Sequence, residues 1–333
     1  MTAAPVAMRD AFGEALLTLA PEVPELVVLD ADVSTSTRTS AFGLRYPHRF
    51  FNVGVAEANM VDIAAGLATC GLRPVVSTFA LFLTLKAADQ VRNIICYNQL
   101  PVVLAGNYAG LSDSYDGASH QSILDLAIMR AMPNLTVVVP ADGVEVRQAL
   151  AAALRREGPV YIRICRNPTS TLFAGAPPLE IGRIRKLRDG GDLTIAVCGV
   201  PTSLAIEAAD RLAGRGISVD LLEVATIKPL DVRALVDSVR KTGRVLTVEE
   251  HTVHGGLGGA IAEVVGQHAP ARIRLVGIQD TFTESGAYDA LLRKYDPQGE
   301  ALWTIQLGSE GEDAAGELAS DIQGNVYMAG RVG

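Results

Sequence analysis

Residues 49–79 read RFFNVGVAEANMVDIAAGLATCGLRPVVSTF, two short strand-like runs with a helical segment between them. The outer runs, 49–53 and 74–79, are mostly β-branched or aromatic, as buried strands are. The inner segment, from Glu57 to Ala68, is built of small apolar residues and begins with a carboxylate. This strand–helix–strand order is typical of one unit of an open parallel sheet.

The same alternation continues along the chain, with helical patterns at residues 84–97 and 142–156. It predicts two consecutive three-layer α/β/α domains, at residues 1–166 and 181–295. A Pro-, Gly- and Thr-rich linker at residues 167–180 separates them. The other predicted strands are LVVLD (26–30), PVVLAG (101–106), TVVVP (136–140), VYIRI (160–164), LTIAVCG (193–199), ISVDLLEVA (217–225), RVLTVEE (244–250) and RIRLVGI (272–278).

The composition argues against a membrane protein and against a secreted one. Apolar residues make up 49% of the 333 residues and aromatic residues 5%, which suits parallel strands covered on both faces. No apolar run reaches the roughly 18 residues of a membrane span, and the N-terminus lacks a signal-peptide pattern. The cysteines lie in apolar segments without a CxxC pair, so we predict core positions in a reduced, cytoplasmic protein. They are Cys70, Cys96, Cys165 and Cys198.

Most of the net charge of −8 lies in the tail, residues 296–333, which holds seven acidic residues and one basic residue. The rest of the chain therefore carries −2 and has no basic stripe, which argues against nucleic-acid binding. The tail resembles one bacterial β-propeller-type repeat, with strand-like runs at 301–308 and 326–330. Because one blade cannot close a propeller, we predict a loosely ordered tail. A cap on the second domain and a gene-fusion remnant are the alternatives.

Glu57 and two phenylalanines stand at or just beyond predicted strand ends, where ligands bind in open α/β sheets. Glu57 has an ordinary explanation, since acidic residues favour the first turn of a helix. Phe79 and Phe82 form either an aromatic pair in the core or a stacking wall for a flat heterocycle.

The loop YAGLSDSYDGASHQS (108–122) is a long polar segment in an apolar domain, and such segments often carry function. Asp116 and His120 have the chemistry for hydroxyl recognition and proton transfer. The ordinary alternative is that a serine of this loop caps the following helix.

The glycine cluster HGGLGG (254–259) does not fit GxGxxG well and lies late in the second domain, so we predict tight strand-to-helix packing there. His251 and His254 lack a recognisable third metal ligand, so a metal site is disfavoured. We predict instead that they lie in a polar loop near the domain contact. The chain contains no GxxxxGK[ST], HExxH or GxSxG motif, which weakens nucleotide-triphosphatase, metalloprotease and hydrolase interpretations.

Eight motifs in order resemble the C-terminal half of transketolase, a thiamine diphosphate enzyme, over about residues 8–295. Each motif alone is modest, but their order is specific. The resemblance implies a pyrimidine-binding domain followed by a transketolase C-terminal domain. The motifs are VGVAEANM, STFALF, DGASHQ, PNLTVVVPAD, GPVYIRICRNP, TIKPLD, VEEHTVHGGLGGAIAEV and GIQDTFTESGAYDALLRKY.

The resemblance implies a catalytic role for Glu57, which would bond a ring nitrogen of the cofactor's aminopyrimidine. This bond promotes the imino tautomer that deprotonates the thiazolium carbon. Phe79 and Phe82 would form the stacking wall, with Leu85 at a position that is often aromatic in the family. Asp32 matches an aspartate near the thiazolium.

The resemblance also implies a substrate pocket for sugars or sugar phosphates. Asp116 and the catalytic His120 match the pair that reads sugar hydroxyls. The sugar-phosphate pocket is matched by Arg9, Ser36 and Arg166. Two positions depart from the family: Tyr108 replaces a histidine that helps bind phosphate, and Tyr115 replaces an interface glutamate.

The chain lacks the GDG…N motif through which the family holds the diphosphate and Mg²⁺, and we predict no metal ligands in it. The resemblance therefore implies the small subunit of a split transketolase, completed by an N-terminal subunit that carries GDG…N in an α2β2 assembly. Such an enzyme transfers a two-carbon ketol unit between sugars.

Four rival functions remain open at this point. The β subunit of a 2-oxo acid dehydrogenase and a deoxyxylulose phosphate synthase share this architecture. DGASHQ and the RNP motif around Arg166 favour transketolase over the dehydrogenase. A non-catalytic assembly subunit would not be expected to keep Glu57, Asp116 and His120 together. A Rossmann oxidoreductase would need a clean glycine fingerprint.

Overall fold

The computed structural model describes residues 5–286 and four short strands closer to the C-terminus. The helices are α1 (Met8–Leu19), α2 (Ser34–Thr37), α3 (Ser40–Arg45), α4 (Glu57–Thr69), α5 (Ala80–Lys86), α6 (Ala88–Gln90), α7 (Asp125–Ala131), α8 (Gly143–Ala153), α9 (Thr202–Ala213), α10 (Val232–Thr242) and α11 (Leu257–His268). Short 3-10 turns lie at Pro47–Arg49 and Gly117–Ser119, and a π-helical segment at Val91–Cys96.

The strands alternate with these helices, as the sequence predicts. They are β1 (Val6–Ala7), β2 (Leu26–Asp30), β3 (Phe50–Asn52), β4 (Arg73–Phe79), β5 (Val103–Asn107), β6 (Thr136–Val138), β7 (Val160–Ile164), β8 (Pro168–Thr169), β9 (Arg185–Arg188), β10 (Leu193–Val197), β11 (Val219–Glu223), β12 (Thr226–Lys228), β13 (Arg244–Thr252), β14 (Arg272–Ile278), β15 (Leu292–Tyr295), β16 (Ala301–Ile305), β17 (Leu318–Ser320) and β18 (Val326–Met328).

Two parallel sheets flanked by helices confirm the predicted architecture of two consecutive α/β domains. The first sheet has the order β12-β6-β7-β5-β4-β2-β3, and the second has the order β14-β13-β10-β11-β9. Every pairing in them is parallel except at one edge of each sheet, where β12 and β9 run antiparallel to their neighbours. The central strands β2, β5 and β7 are buried along their whole length, which is why they read as continuous apolar runs.

The edge strand β12 joins the two halves of the molecule, because it follows β11 of the second sheet and pairs with β6 of the first. One apolar cluster also crosses between the halves and includes Val137 and Leu135 together with Val224 and Ile227. The two domains therefore share a core. The predicted boundaries at residues 166 and 181 stay predictions.

The segment that follows β4 differs from its predicted form. The helix predicted over residues 84–97 begins earlier, at Ala80, and is interrupted at Ala87, where the backbone leaves the helical region. It continues as the π-helical segment Val91–Cys96. Because α5 starts directly after β4, Phe79 and Phe82 lie on either side of the strand–helix junction.

Three predictions about surface and tail can be compared with the structure. Cys96, Cys165 and Cys198 are buried as predicted, but Cys70 is exposed because it follows the last turn of α4. No helix among the described residues is long and apolar enough to cross a membrane. Near the C-terminus, β15, which precedes the tail, pairs with β16 in the tail, and β17 pairs with β18. The other residues of the tail lie outside the described residues.

Candidate active site

The predicted site residues gather at the carboxyl edge of the first sheet. Parallel neighbours β3, β2, β4, β5 and β7 all end there, so their final side chains and following loops meet. The residues at or just beyond these ends are Asn52, Asp30, Phe79, Asn107 and Arg166.

Glu57 is the first residue of α4 and is only 4% exposed. The Nζ atom of Lys86 lies 2.9 Å from its Oε1 atom, and the Lys86 side chain is 45% exposed. The same Nζ atom lies 4.2 Å from the centre of the Phe82 ring. A buried carboxylate and an aromatic face therefore border one space, which an ammonium group fills here.

An aromatic wall extends from Phe82 into the polar loop 108–122. The Phe79 ring stacks on Tyr108 at 4.4 Å between centroids and lies 5.6 Å from the Phe82 ring. His120 meets the edge of Phe82 at 5.1 Å, and its Nδ1 lies 3.0 Å from Ser119 Oγ. The loop thus brings a titratable imidazole beside the wall.

Two guanidinium groups approach the same tyrosine. The Arg9 guanidinium lies 5.6 Å from the Tyr108 ring centre and the Arg166 guanidinium 5.1 Å from it. Arg9 Nη1 donates hydrogen bonds to Tyr108 Oη, at 2.5 Å, and to the main-chain oxygen of Ser36, at 3.3 Å. We call Arg9, Arg166, Tyr108 and Ser36 the arginine end of the site. The structure brings these predicted substrate-binding residues together, and their role stays a prediction.

A carboxyl pair lies next to Arg166. Asp113 is completely buried, and its Oδ1 atom lies 3.6 Å from Arg166 Nη1. Burial first, and then the charge of the exposed Asp116, raise the pKa of Asp113 to about 7, while Arg166 opposes this rise. The Asp113 carboxyl group therefore changes its charge near neutral pH.

The segment after β2 is organised by Asp30, which is buried. Its carboxylate accepts hydrogen bonds from the Val33 N–H and from the hydroxyl groups of Thr37 and Thr39. Asp32 is exposed, has a left-handed φ of 66°, and exchanges hydrogen bonds with Asn52. These bonds hold the turn after β2, in which aspartate tolerates the left-handed region.

The second domain holds the loop 108–122 in place. Glu250 accepts a hydrogen bond from the Leu111 N–H, and Gln121 donates to the main-chain oxygen of Glu284. Gly110 has φ +63°, and a Cβ there would lie 2.6 Å from the Glu250 carboxyl carbon. Glycine is therefore required for this close approach.

A buried ion pair connects the helix after this loop to the first sheet. Arg163 donates to both oxygens of Asp125, at 2.8 and 3.2 Å, and also to the main-chain oxygens of Ser122 and Glu250. Tyr161 donates to the same carboxylate. Burial alone would raise the pKa of Asp125. Its charged and hydrogen-bonded partners, led by Arg163, outweigh burial and lower this pKa.

The histidine and glycine motif of the second domain is structural. His251 is wholly buried in β13, so the predicted polar loop is wrong at this residue, and burial lowers its pKa to about 4. Glu249 accepts hydrogen bonds from Leu257 and Gly258 at the start of α11. A Cβ on Gly256 would lie 2.0 Å from Glu249 Oε2, which confirms the predicted tight packing.

Contacts link most predicted site residues into one series, from Glu57 through Lys86 and the aromatic wall to the arginine end. Leu85 is 53% exposed at the outer side of α5, and its cofactor role stays a prediction. The sequence analysis did not identify Lys86 and Asp113 as residues of the site. Their charges are ordinary in sequence, and only the burial of Asp113 and the contact of Lys86 with Glu57 reveal them.

The fold and this site define a two-domain α/β protein in which a buried carboxylate, an aromatic wall and two arginines lie at the carboxyl edge of the first sheet. Comparison with known proteins identifies a family for each of the two domains. Residues 4–170 match the transketolase pyrimidine-binding domain, and residues 182–302 match the transketolase C-terminal domain. The chain therefore belongs to the transketolase family and corresponds to the small, C-terminal subunit of a split transketolase.

Several relatives are themselves C-terminal sections or subunits. A Methanocaldococcus jannaschii protein named as a transketolase C-terminal section is 41% identical over 298 residues, which cover 89% of this chain and 93% of the relative. A 6-deoxy-6-sulfo-D-fructose transketolase subunit of Clostridium sp. is 39% identical over 86% of this chain and 89% of its own. The inactive β4 tetramer of a split-gene transketolase has a TM-score of 0.78 and 46% identity, covering 84% of this chain and 91% of that one.

Full-length synthases of the same superfamily also match. The 1-deoxy-D-xylulose-5-phosphate synthase of Desulforudis audaxviator is 37% identical over 88% of this chain. The chain spans only 47% of that relative. The split transketolase relatives, in contrast, are matched over nearly their whole length.

Proposed function

We propose that the chain uses thiamine diphosphate to transfer a two-carbon ketol unit between sugars, with a partner subunit that completes the site. The observation that carries this proposal is the space bordered by Glu57 and Phe82. Lys86 Nζ lies 2.9 Å from the Glu57 carboxylate and 4.2 Å from the Phe82 ring centre. One small group thus reaches both surfaces at once.

The Glu57 carboxylate and the Phe82 ring together suit an aminopyrimidine ring. A flat heterocycle in this space can stack on Phe82 while a ring nitrogen is held by the buried Glu57 carboxylate. Phe79 and Tyr108 extend the apolar wall and limit access of water. When bound, thiamine diphosphate supplies a carbon nucleophile and an electron sink for the transferred unit.

The residues of this chain have distinct tasks in that reaction. Glu57 holds a proton at the ring nitrogen, because a carboxylate of low exposure forms a strong, directional hydrogen bond. His120 exchanges protons with hydroxyl groups of the sugar, and Asp116 accepts hydrogen bonds from them. Arg9, Ser36 and Arg166 orient the far end of the sugar. Asp32, in the turn after β2, would lie near the thiazolium ring of the cofactor.

A partner subunit would hold the diphosphate and Mg²⁺ through its GDG…N motif, in an α2β2 assembly. Two observations support this part of the proposal. The split relatives are named as separate sections or subunits. Large apolar side chains near the site are also exposed: Val55 by 72%, Leu85 by 53% and Tyr115 by 70%. Such a surface is suited to a protein interface.

The test is a ketol-transfer assay on this chain, on a candidate GDG…N subunit and on their mixture, with thiamine diphosphate, Mg²⁺ and a panel of ketose donors and aldose acceptors. We expect turnover only in the mixture. Acyl transfer from a 2-oxo acid, without ketol transfer, would instead favour the dehydrogenase alternative. Binding of the partner without any turnover would favour an assembly subunit.

Replacing Lys86 by Met should tighten the binding of thiamine diphosphate about fivefold. The ammonium group of Lys86 competes with the cofactor ring for Glu57, and a half-exposed ion pair is worth up to about 1 kcal/mol. Calorimetric titration of the mixed subunits measures the change, with Lys86→Arg as a control that keeps the charge. Equal or weaker binding by Lys86→Met would show that Lys86 does not compete with the cofactor.

A further inference from the structure

A buried acid that the proposed reaction does not use lies next to the arginine end of the site. Asp113 is fully buried, and neither of its carboxyl oxygens accepts a hydrogen bond from a donor within the described residues. Its charged neighbours are Arg166, at 3.6 Å, and Asp116 of the same loop, which shares a hydrogen bond with it when one of the two is protonated. Any effect of Asp113 on the arginine end therefore passes through Arg166 and Asp116.

Both guanidinium groups of the arginine end contact other groups of this chain, although the buried Nε atom of Arg9 has no hydrogen-bond partner among the described residues. Arg9 donates to Tyr108 Oη and to the main-chain oxygen of Ser36. Arg166 faces the Asp113 carboxyl group. At Arg166, an anionic group of a substrate would have to compete with the Asp113 carboxylate. A sugar hydroxyl group would not, because it can donate to the phenol and carboxyl oxygens and accept from an arginine.

We propose that Asp113 is a specificity residue that offsets the charge of Arg166, so that the pocket selects sugars ending in a neutral hydroxyl group over sugars ending in an anion. This inference rests on the proposed function and names the substrate class of that same site. Asp113 is a positioning residue in this role, since it acts through Arg166 and Asp116.

The direct test compares one sugar with and without a fixed charge in the reconstituted enzyme. Fructose and 6-deoxy-6-sulfofructose serve as donors, because a sulfonate keeps one charge from pH 6 to pH 8 whereas a phosphate titrates near pH 6. For Asp113→Asn we expect the ratio of kcat/KM, sulfo-sugar over fructose, to rise about tenfold at pH 8. Asp62→Asn, an exposed substitution on α4, should leave the ratio unchanged.

The pH profile separates specificity from a structural role. The Asp113 carboxyl group loses its proton as the pH rises through about 7, so the ratio for the unmodified chain should fall between pH 6 and pH 8. Asp113→Asn cannot titrate, and its ratio should stay level. A structural role would change kcat/KM for both sugars alike. A variant ratio within twofold of the original at both pH values would overturn the inference.

A second measurement does not depend on ketol transfer. Inorganic sulfate, whose charge is constant over this range, is titrated calorimetrically into this chain alone at pH 8. Asp113→Asn should bind sulfate about tenfold more tightly than the unmodified chain. Equal binding, or no binding by either, would overturn the inference. Tighter binding by the variant, with no turnover in any mixture, would instead contradict the proposed function and leave the charge argument standing.

Discussion

Replacing Glu57 by Gln should reduce ketol transfer about 10³-fold while the chain keeps its fold. Glutamine has the same shape but no charge, so the bond to the cofactor ring loses its charge-assisted strength. Proton transfer by a positioned group typically contributes 10²- to 10⁴-fold to a rate. The measurement is kcat in the mixed subunits at saturating cofactor, so that weaker cofactor binding does not contribute.

Asp62→Asn is the matched control for this substitution. Asp62 lies on the same helix, α4, but is exposed, and the substitution removes the same charge. We expect it to leave kcat nearly unchanged. Activity of Glu57→Gln within tenfold of the unmodified chain would exclude Glu57 as the catalytic carboxylate.

Replacing Asp125 by Asn should lower the free energy of unfolding by about 3–5 kcal/mol, the usual cost of breaking a buried ion pair by removing one partner. The Arg163 side chain is 7% exposed and the Asp125 side chain is completely buried. The variant leaves the guanidinium group buried without its counter-charge. Denaturant unfolding monitored by circular dichroism measures the change.

The control for this second prediction is a solvent-exposed ion pair on the surface of the second domain. Arg233 and Asp237 form an i,i+4 pair on α10, with side chains 92% and 67% exposed. Asp237→Asn should leave the free energy of unfolding nearly unchanged, because exposed pairs contribute little. A loss below about 1 kcal/mol for Asp125→Asn would mean that water reaches Arg163 in the variant and that the network is not tightly closed.

Much of the fold was predictable because parallel strands covered on both faces have a strong local signal. Runs such as 26–30 and 160–164 became β2 and β7 with the same bounds. The carboxyl-edge rule also indicated that Glu57, Phe79 and Phe82 lie at one edge of the sheet. These inferences needed only the order of strands and helices.

The rest depended on contacts between distant segments. The pairing of Thr226–Lys228 with β6 joins two domains, and a three-residue edge strand has almost no periodic signal. Lys86 and Asp113 look like ordinary surface charges in sequence. Their importance comes from a buried partner or from burial itself, which only the folded chain provides. Cys70 was placed in the core because its neighbours are apolar, but it lies where α4 ends.

The central claim is that this chain supplies the pyrimidine half of a cofactor site that a partner completes. The most direct measurement is calorimetric titration of thiamine diphosphate with Mg²⁺ into this chain alone, and then into its mixture with a GDG…N subunit. We predict tight binding only in the mixture, and its weakening in Glu57→Gln. Equally tight binding by this chain alone would contradict the claim.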